Sequence, residues 1–181
     1  MLTSADRFMQ RSELEHVIRA SGEIANDDEI IIIGSQAILG QFPDAPIRLL
    51  MSMETDLYPK NKPDASDKVD GAIGEGSSFH ELNGYYAQGV GPGTAVLPEG
   101  WQDRLISIDN ENTNGVTGLC LEVHDLTISK LVASRPKDLA YIQELIRCDM
   151  IEHQTLLARL AKTDLSNAER SLIKSRIDAI F

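Results

Sequence analysis

The run Glu29-Ile30-Ile31-Ile32-Ile33, closed by Gly34-Ser35, constrains the fold more than any other stretch of the chain. Four isoleucines in a row carry no polar alternation, which marks a strand buried on both faces. Such a strand belongs inside a sheet that helices cover, so an α/β (α+β) architecture follows. After the Gly-Ser turn, residues 35–42 read as a short helix, stopped by Phe42-Pro43-Asp44-Ala45-Pro46.

The rest of the chain extends this pattern. A helix is expected over 3–21, capped by Thr3 or Ser4, with Phe8, Leu14, Val17 and Ile18 at roughly helical spacing. Residues 47–57 read as a second strand, with Met51, Met53, Thr55 and Leu57 on one face and Ser52, Glu54 and Asp56 on the other. A helix over 66–82, capped by Asp64 or Ser66, precedes a short strand at 85–90. Strands at 104–110 and 117–123 flank Asn114-Gly115, a strong hairpin signal. From Asp125 onward the chain reads as helical: 125–133, 136–149, 151–162 and 166–180, the last with Ser166 and Glu169 in a capping box. The expected organisation is an α/β domain over 1–124 with a helical C-terminal region over 125–181 packed on it. Leu156, Leu157, Leu160, Leu172, Ile173, Ile177 and Ile180 suit that packing, with a homodimer or other protein interface as the lesser alternative.

Composition narrows the function. With 42% hydrophobic residues the chain carries enough apolar mass for a core. A formal net charge of −11 leaves no long basic stripe, so a nucleic acid would have to meet a local patch. Cys120 and Cys148 lack Cys-x-x-Cys spacing and read as reduced thiols, which suits a cytoplasmic protein. The first residues lack the basic start and apolar run of a signal peptide, and no segment approaches ~18 unbroken apolar residues. The four histidines are scattered, which argues against zinc. The glycines at 89, 91 and 93 do not complete a dinucleotide fingerprint, and no Gly-Lys-Ser/Thr sequence occurs.

Two features carry chemistry. A turn such as Gly34-Ser35 places N–H groups and a hydroxyl at a helix N-terminus, where phosphate binds; a plain tight turn with a capping serine is the alternative. Glu54 and Asp56, two apart on a strand, project to one face and together suit a hard divalent cation. A solvated strand face would also tolerate them, but Leu49, Leu50, Met51, Met53 and Leu57 make the stretch apolar.

Gly-Ser after one strand and acid-x-acid on the next resembles the nucleotidyltransferase superfamily that includes DNA polymerase beta. More closely, the chain looks like small bacterial nucleotidyltransferase-like proteins related to the abortive-infection toxin family. Those carry a later Lys-Leu-x-Ala segment followed by an arginine and an acid, matched here by Lys130, Leu131, Ala133, Arg135, Lys137 and Asp138. The resemblance runs from about residue 30 to 150. It implies a nucleoside triphosphate held by Gly34, Ser35, Lys130 and Arg135, Mg²⁺ held by Glu54 and Asp56, and Asp138 positioning Lys130 or a substrate group. It implies nucleotidyl transfer to a hydroxyl on RNA or protein, in a toxin–antitoxin setting, with a catalytically silent binding or regulatory module as the alternative. Two departures stand out. The first acid is a glutamate, and the family's third acid has two candidates here, Asp109 and Glu122.

Overall fold

The computed structural model describes residues 7–181. Five strands form one mixed sheet: β1 (Glu29–Ile32), β2 (Glu54–Pro59), β3 (Tyr86–Gly89), β4 (Ile106–Ile108) and β5 (Thr117–Cys120). Their spatial order is β3-β2-β1-β5-β4. The isoleucine strand β1 lies at the centre, antiparallel to β2 and parallel to β5. β3 extends the sheet parallel to β2, and β4 closes the other edge antiparallel to β5. Ile30, Ile31 and Ile32 are buried, as a strand covered on both faces requires.

Among the described residues eight α-helices flank the sheet: α1 (Arg11–Ala25), α2 (Ile38–Gln41), α3 (Ser66–Ile73), α4 (Ser78–Asn83), α5 (Val123–Ala133), α6 (Pro136–Arg147), α7 (His153–Ala161) and α8 (Asn167–Ile180). α1 packs on α3 and on the central strands, and α2 packs against β4 and β5. α5 sits at the centre of the C-terminal third, touching α6, α7 and α8. Gly118 makes room for α1, since a Cβ there would lie 2.4 Å from Ile18 Cδ1.

Several boundaries differ from the sequence reading. The first helix begins at Arg11, because Met9 is buried and its N–H pairs with Leu50 O at 2.8 Å. Gln10 precedes it, and its N–H donates to Glu13 Oε2 at 2.8 Å. The proposed caps Thr3 and Ser4 lie outside the described residues. The helix over 35–42 is a 3-10 turn, Ser35–Ala37, followed by the single α-turn of α2. The second strand starts at Glu54, not 47. Pro46 opens a 3-10 turn over Ile47–Leu49, and the chain pairs only after it. The helix over 66–82 is two helices, broken at Gly74–Gly76, where Gly76 has φ of 75°. The C-terminal helices follow expectation to within a few residues, and Ser166 and Glu169 form the capping box at α8.

Candidate functional site

The end of β1 and the start of β2 define the site. Ile33 N–H donates to Asp56 O at 3.0 Å, so the Gly34-Ser35 turn lies directly beside the second acid. Gly34 has an ordinary φ of −88°. Its glycine is required for space instead: a Cβ there would lie 2.5 Å from Asp56 Oδ2. The buried Gln36 then donates to Ser52 O at 2.6 Å and fixes the entry to β2.

α5 and α6 supply the opposite wall. Lys130 is only 7% exposed, which is unusual for a lysine without a partner. Its Nζ donates to Ser35 Oγ at 3.0 Å and to Asp138 Oδ1 at 3.4 Å. It also lies 4.3 Å from the centroid of the Tyr141 ring, in cation–π contact. Tyr141 Oη donates to Ser35 O at 2.8 Å, so one helix grips both the turn and the lysine. Burial pulls the Lys130 ammonium below its ordinary pKa, and the adjacent Asp138 charge works against that fall. Burial works to raise the Asp138 carboxyl, but the Arg135 hydrogen bond and the Lys130 charge outweigh it and hold it low. Arg135 Nε donates to Asp138 Oδ2 at 2.7 Å, while its side chain stays 57% exposed at the pocket rim.

Between these walls lies a cavity of about 700 Å³, within the range of small-molecule sites. Gly34, Ser35, Glu54, Asp56, Lys130 and Arg135 all line it. Asp138 lies fully buried behind Lys130. Arg48, Lys137 and Arg147 also line the cavity, so five of the chain's 17 Lys and Arg gather here despite its overall −11 charge. That local excess of cations suits a polyanion. Burial first, then the Glu54 charge and a hydrogen bond shared with Glu54, push the Asp56 carboxyl up to about 6. Two crowded carboxylates of this kind match the hard oxygen donors that Mg²⁺ takes.

Neither candidate for a third acid reaches the cavity. Glu122 caps α5 by accepting from His124 N–H at 3.0 Å, and it pairs with Arg159 at 3.0 Å. Asp109 follows β4, at the sheet edge remote from β2. His124 Nδ1–H donates to Glu122 Oε1 at 2.7 Å and its Nε2 accepts from Glu152 N–H at 3.0 Å, so it serves the helix junction. On the side away from β1, β2 pairs with β3, whose register sets Gln88 opposite Asp56. Among the described residues no three His, Cys, Asp or Glu side chains gather at metal-binding spacing. The residues missed from the sequence are Tyr141, Tyr86 and Gln88. The i+11 step from Lys130 to Tyr141, across a helix break, gave no periodic signal, and the short strand at 85–90 gave no pairing partner.

A mixed sheet whose Gly-Ser turn abuts an acid pair, with a buried lysine behind the turn, defines a nucleotidyltransferase-like protein. The family model for nucleotidyltransferases of unknown function (DUF6036) matches residues 12–176, and the chain belongs to that family. No curated protein and no solved structure shows significant similarity to the chain. No helix among the described residues is long and apolar enough to cross a membrane.

Proposed function

We propose that the cavity binds a nucleoside triphosphate with Mg²⁺ and transfers its nucleotidyl group to a hydroxyl acceptor. The observation that carries this reading is the Lys130 ammonium, held 3.0 Å from Ser35 Oγ in the cavity that Glu54 and Asp56 line. Ser35 Oγ and Lys130 Nζ meet the phosphates, and Lys137 and Arg135 add positive charge at the rim. The four-residue α2 supplies little helix dipole, so this grip falls on side chains. Glu54 and Asp56 would hold Mg²⁺, whose contribution when bound would be Lewis-acid neutralisation of charge on the triphosphate. The acceptor hydroxyl oxygen forms a new bond to the α-phosphorus and gives its proton to solvent, as the bond from that phosphorus to the bridging oxygen breaks and pyrophosphate leaves. Lys130, kept rigid by Asp138 and Tyr141, offsets the charge that grows on the departing phosphates.

The acceptor class is a hydroxyl on RNA or protein, and a toxin role follows if that acceptor is essential to the cell. The cavity, with its acids and lysine in one place, does not favour a catalytically silent module. The reading is tested by calorimetry with ATP, CTP, GTP and UTP in Mg²⁺, on wild type and Asp56→Ala. At least one nucleotide binds wild type, and Asp56→Ala weakens it tenfold or more. Failure of all four to bind wild type removes the reading. Incorporation of labelled nucleotide, lost in Asp56→Asn, distinguishes transfer from binding alone.

A further inference from the structure

Strand β3 carries two side chains that the proposed chemistry has not used. Its parallel register with β2 pairs Tyr86 with Glu54 and Gln88 with Asp56. Residues two apart on a strand share a face, so Tyr86 and Gln88 stand on the face that carries the acid pair. Tyr86 Oη donates to Glu54 Oε2 at 3.0 Å. With its amide nitrogen turned toward β2, Gln88 donates to both Glu54 oxygens, at 2.8 and 3.0 Å. Gln88 therefore reaches past its cross-strand neighbour Asp56 to its diagonal neighbour. The His80 ring lies 4.5 Å from the Tyr86 ring and braces it from α4.

We propose that Tyr86 and Gln88 are positioning residues that hold the Glu54 carboxylate ready for a divalent cation, an assignment that rests on the Mg²⁺–nucleotide reading above. Glutamate has one more rotatable bond than the aspartate usual at this place, and a free side chain would lose more entropy on ligation. Three hydrogen bonds from two donors remove that freedom before the cation arrives. They also explain why β3 presents neutral donors here: a carboxylate at position 88 would repel Glu54, whereas an amide steadies it. Ligating carboxylates are commonly held by such partners, whose loss lowers metal affinity about 10–100-fold.

The experiment uses the full chain and Mn²⁺ alone as probe, with free Mn²⁺ followed by electron paramagnetic resonance. Wild type binds Mn²⁺ at a site that Asp56→Ala removes. Tyr86→Phe keeps the ring against His80, and Gln88→Met keeps the length of an exposed side chain, so both variants keep the wild-type melting temperature. Each weakens Mn²⁺ about tenfold, and the double variant weakens it further. Mg²⁺ competition loses more than Mn²⁺ binding, because Mg²⁺ demands stricter octahedral geometry. Variants that bind Mn²⁺ as tightly as wild type overturn the assignment of Tyr86 and Gln88 alone. A wild type whose Mn²⁺ binding is absent, or is indifferent to Asp56→Ala, overturns the metal reading beneath it and the assignment with it.

Discussion

Asp56 is kept in an environment that resists its ionisation. Its carboxyl is pushed from an ordinary 3.8 to about 6 by burial and by Glu54, a shift of about two units. The consequence for stability has a definite sign. The folded state holds this proton more tightly than the unfolded chain, so rising pH favours unfolding between about 4 and 6. Above that window the charged pair costs up to about 3 kcal/mol, at about 1.4 kcal/mol per unit. Asp56→Asn removes the second charge and keeps the shape. Urea denaturation of this variant gives a flatter pH profile than wild type, and greater stability at pH near neutrality. An unchanged slope between acid and neutral pH would show that Asp56 ionises freely. If the acid pair holds Mg²⁺ as proposed, adding Mg²⁺ stabilises wild type at neutral pH and leaves Asp56→Asn nearly unmoved. Such a site is stabilised by its ligand and strained without it, as functional sites often are.

At the scale of elements, the central strand and the C-terminal helices were legible because their signals are local. Four isoleucines need two covered faces, and Ser166 with Glu169 starts a helix wherever it lies. Residues 47–53 misled because two of their apolar side chains are buried without strand pairing: Leu49 and Leu50 fill the core from a 3-10 turn and its exit, while Ile47 and Met51 stay exposed. Gly34, Ser35, Glu54, Asp56 and Lys130 were legible as a set because their order matches a known pattern. Which strand lies beside β2 was not, since pairing between β2 and β3 depends on a register that no turn residue encodes. The third-acid candidates therefore fell just past β4 and on the cap of α5, while Gln88 is the residue opposite Asp56 on β3. Glu122 belongs instead to a junction with Asp125, which is fully buried. Asp125 accepts from Arg104 Nε and from a terminal guanidinium nitrogen of Arg104 at 2.8 and 3.0 Å, and from Arg159 at 2.6 Å. These bonds join the turn at Trp101–Arg104 and α7 to the first turn of α5, the helix that carries Lys130. Asp125→Ala leaves Arg104 without its carboxylate and Arg159 with Glu122 alone, and costs about 3–5 kcal/mol in urea denaturation. A loss below about 1 kcal/mol would place this network among ordinary surface pairs.

The whole molecule is organised around a cavity that both halves of the chain build. Residues before 124 contribute the turn and the acid pair; residues after it contribute Lys130, Arg135 and Tyr141. Further ties cross the same division. Arg104 Nε donates to the fully buried Asp125 at 2.8 Å, and Glu99 N–H donates to Lys162 O at 2.8 Å. If 1–124 and 125–181 were independent domains, these contacts would break before either core melted. With the bonds from Lys130 and Tyr141 to Ser35, they favour a single cooperative unit instead. Trp101, the sole tryptophan, lies partly buried near the Glu99–Lys162 tie and reports on that division. Its fluorescence and the far-UV circular dichroism lose their native signals at one urea concentration. A nucleoside triphosphate that binds with Mg²⁺, supplied at about 100 times its Kd, adds about 2.7 kcal/mol to both transitions alike. Separate midpoints, or a ligand that shifts only one probe, would mean that the helical region docks on a domain already folded without it. The cavity would then form by docking, and binding would couple to that step rather than to folding of the whole chain.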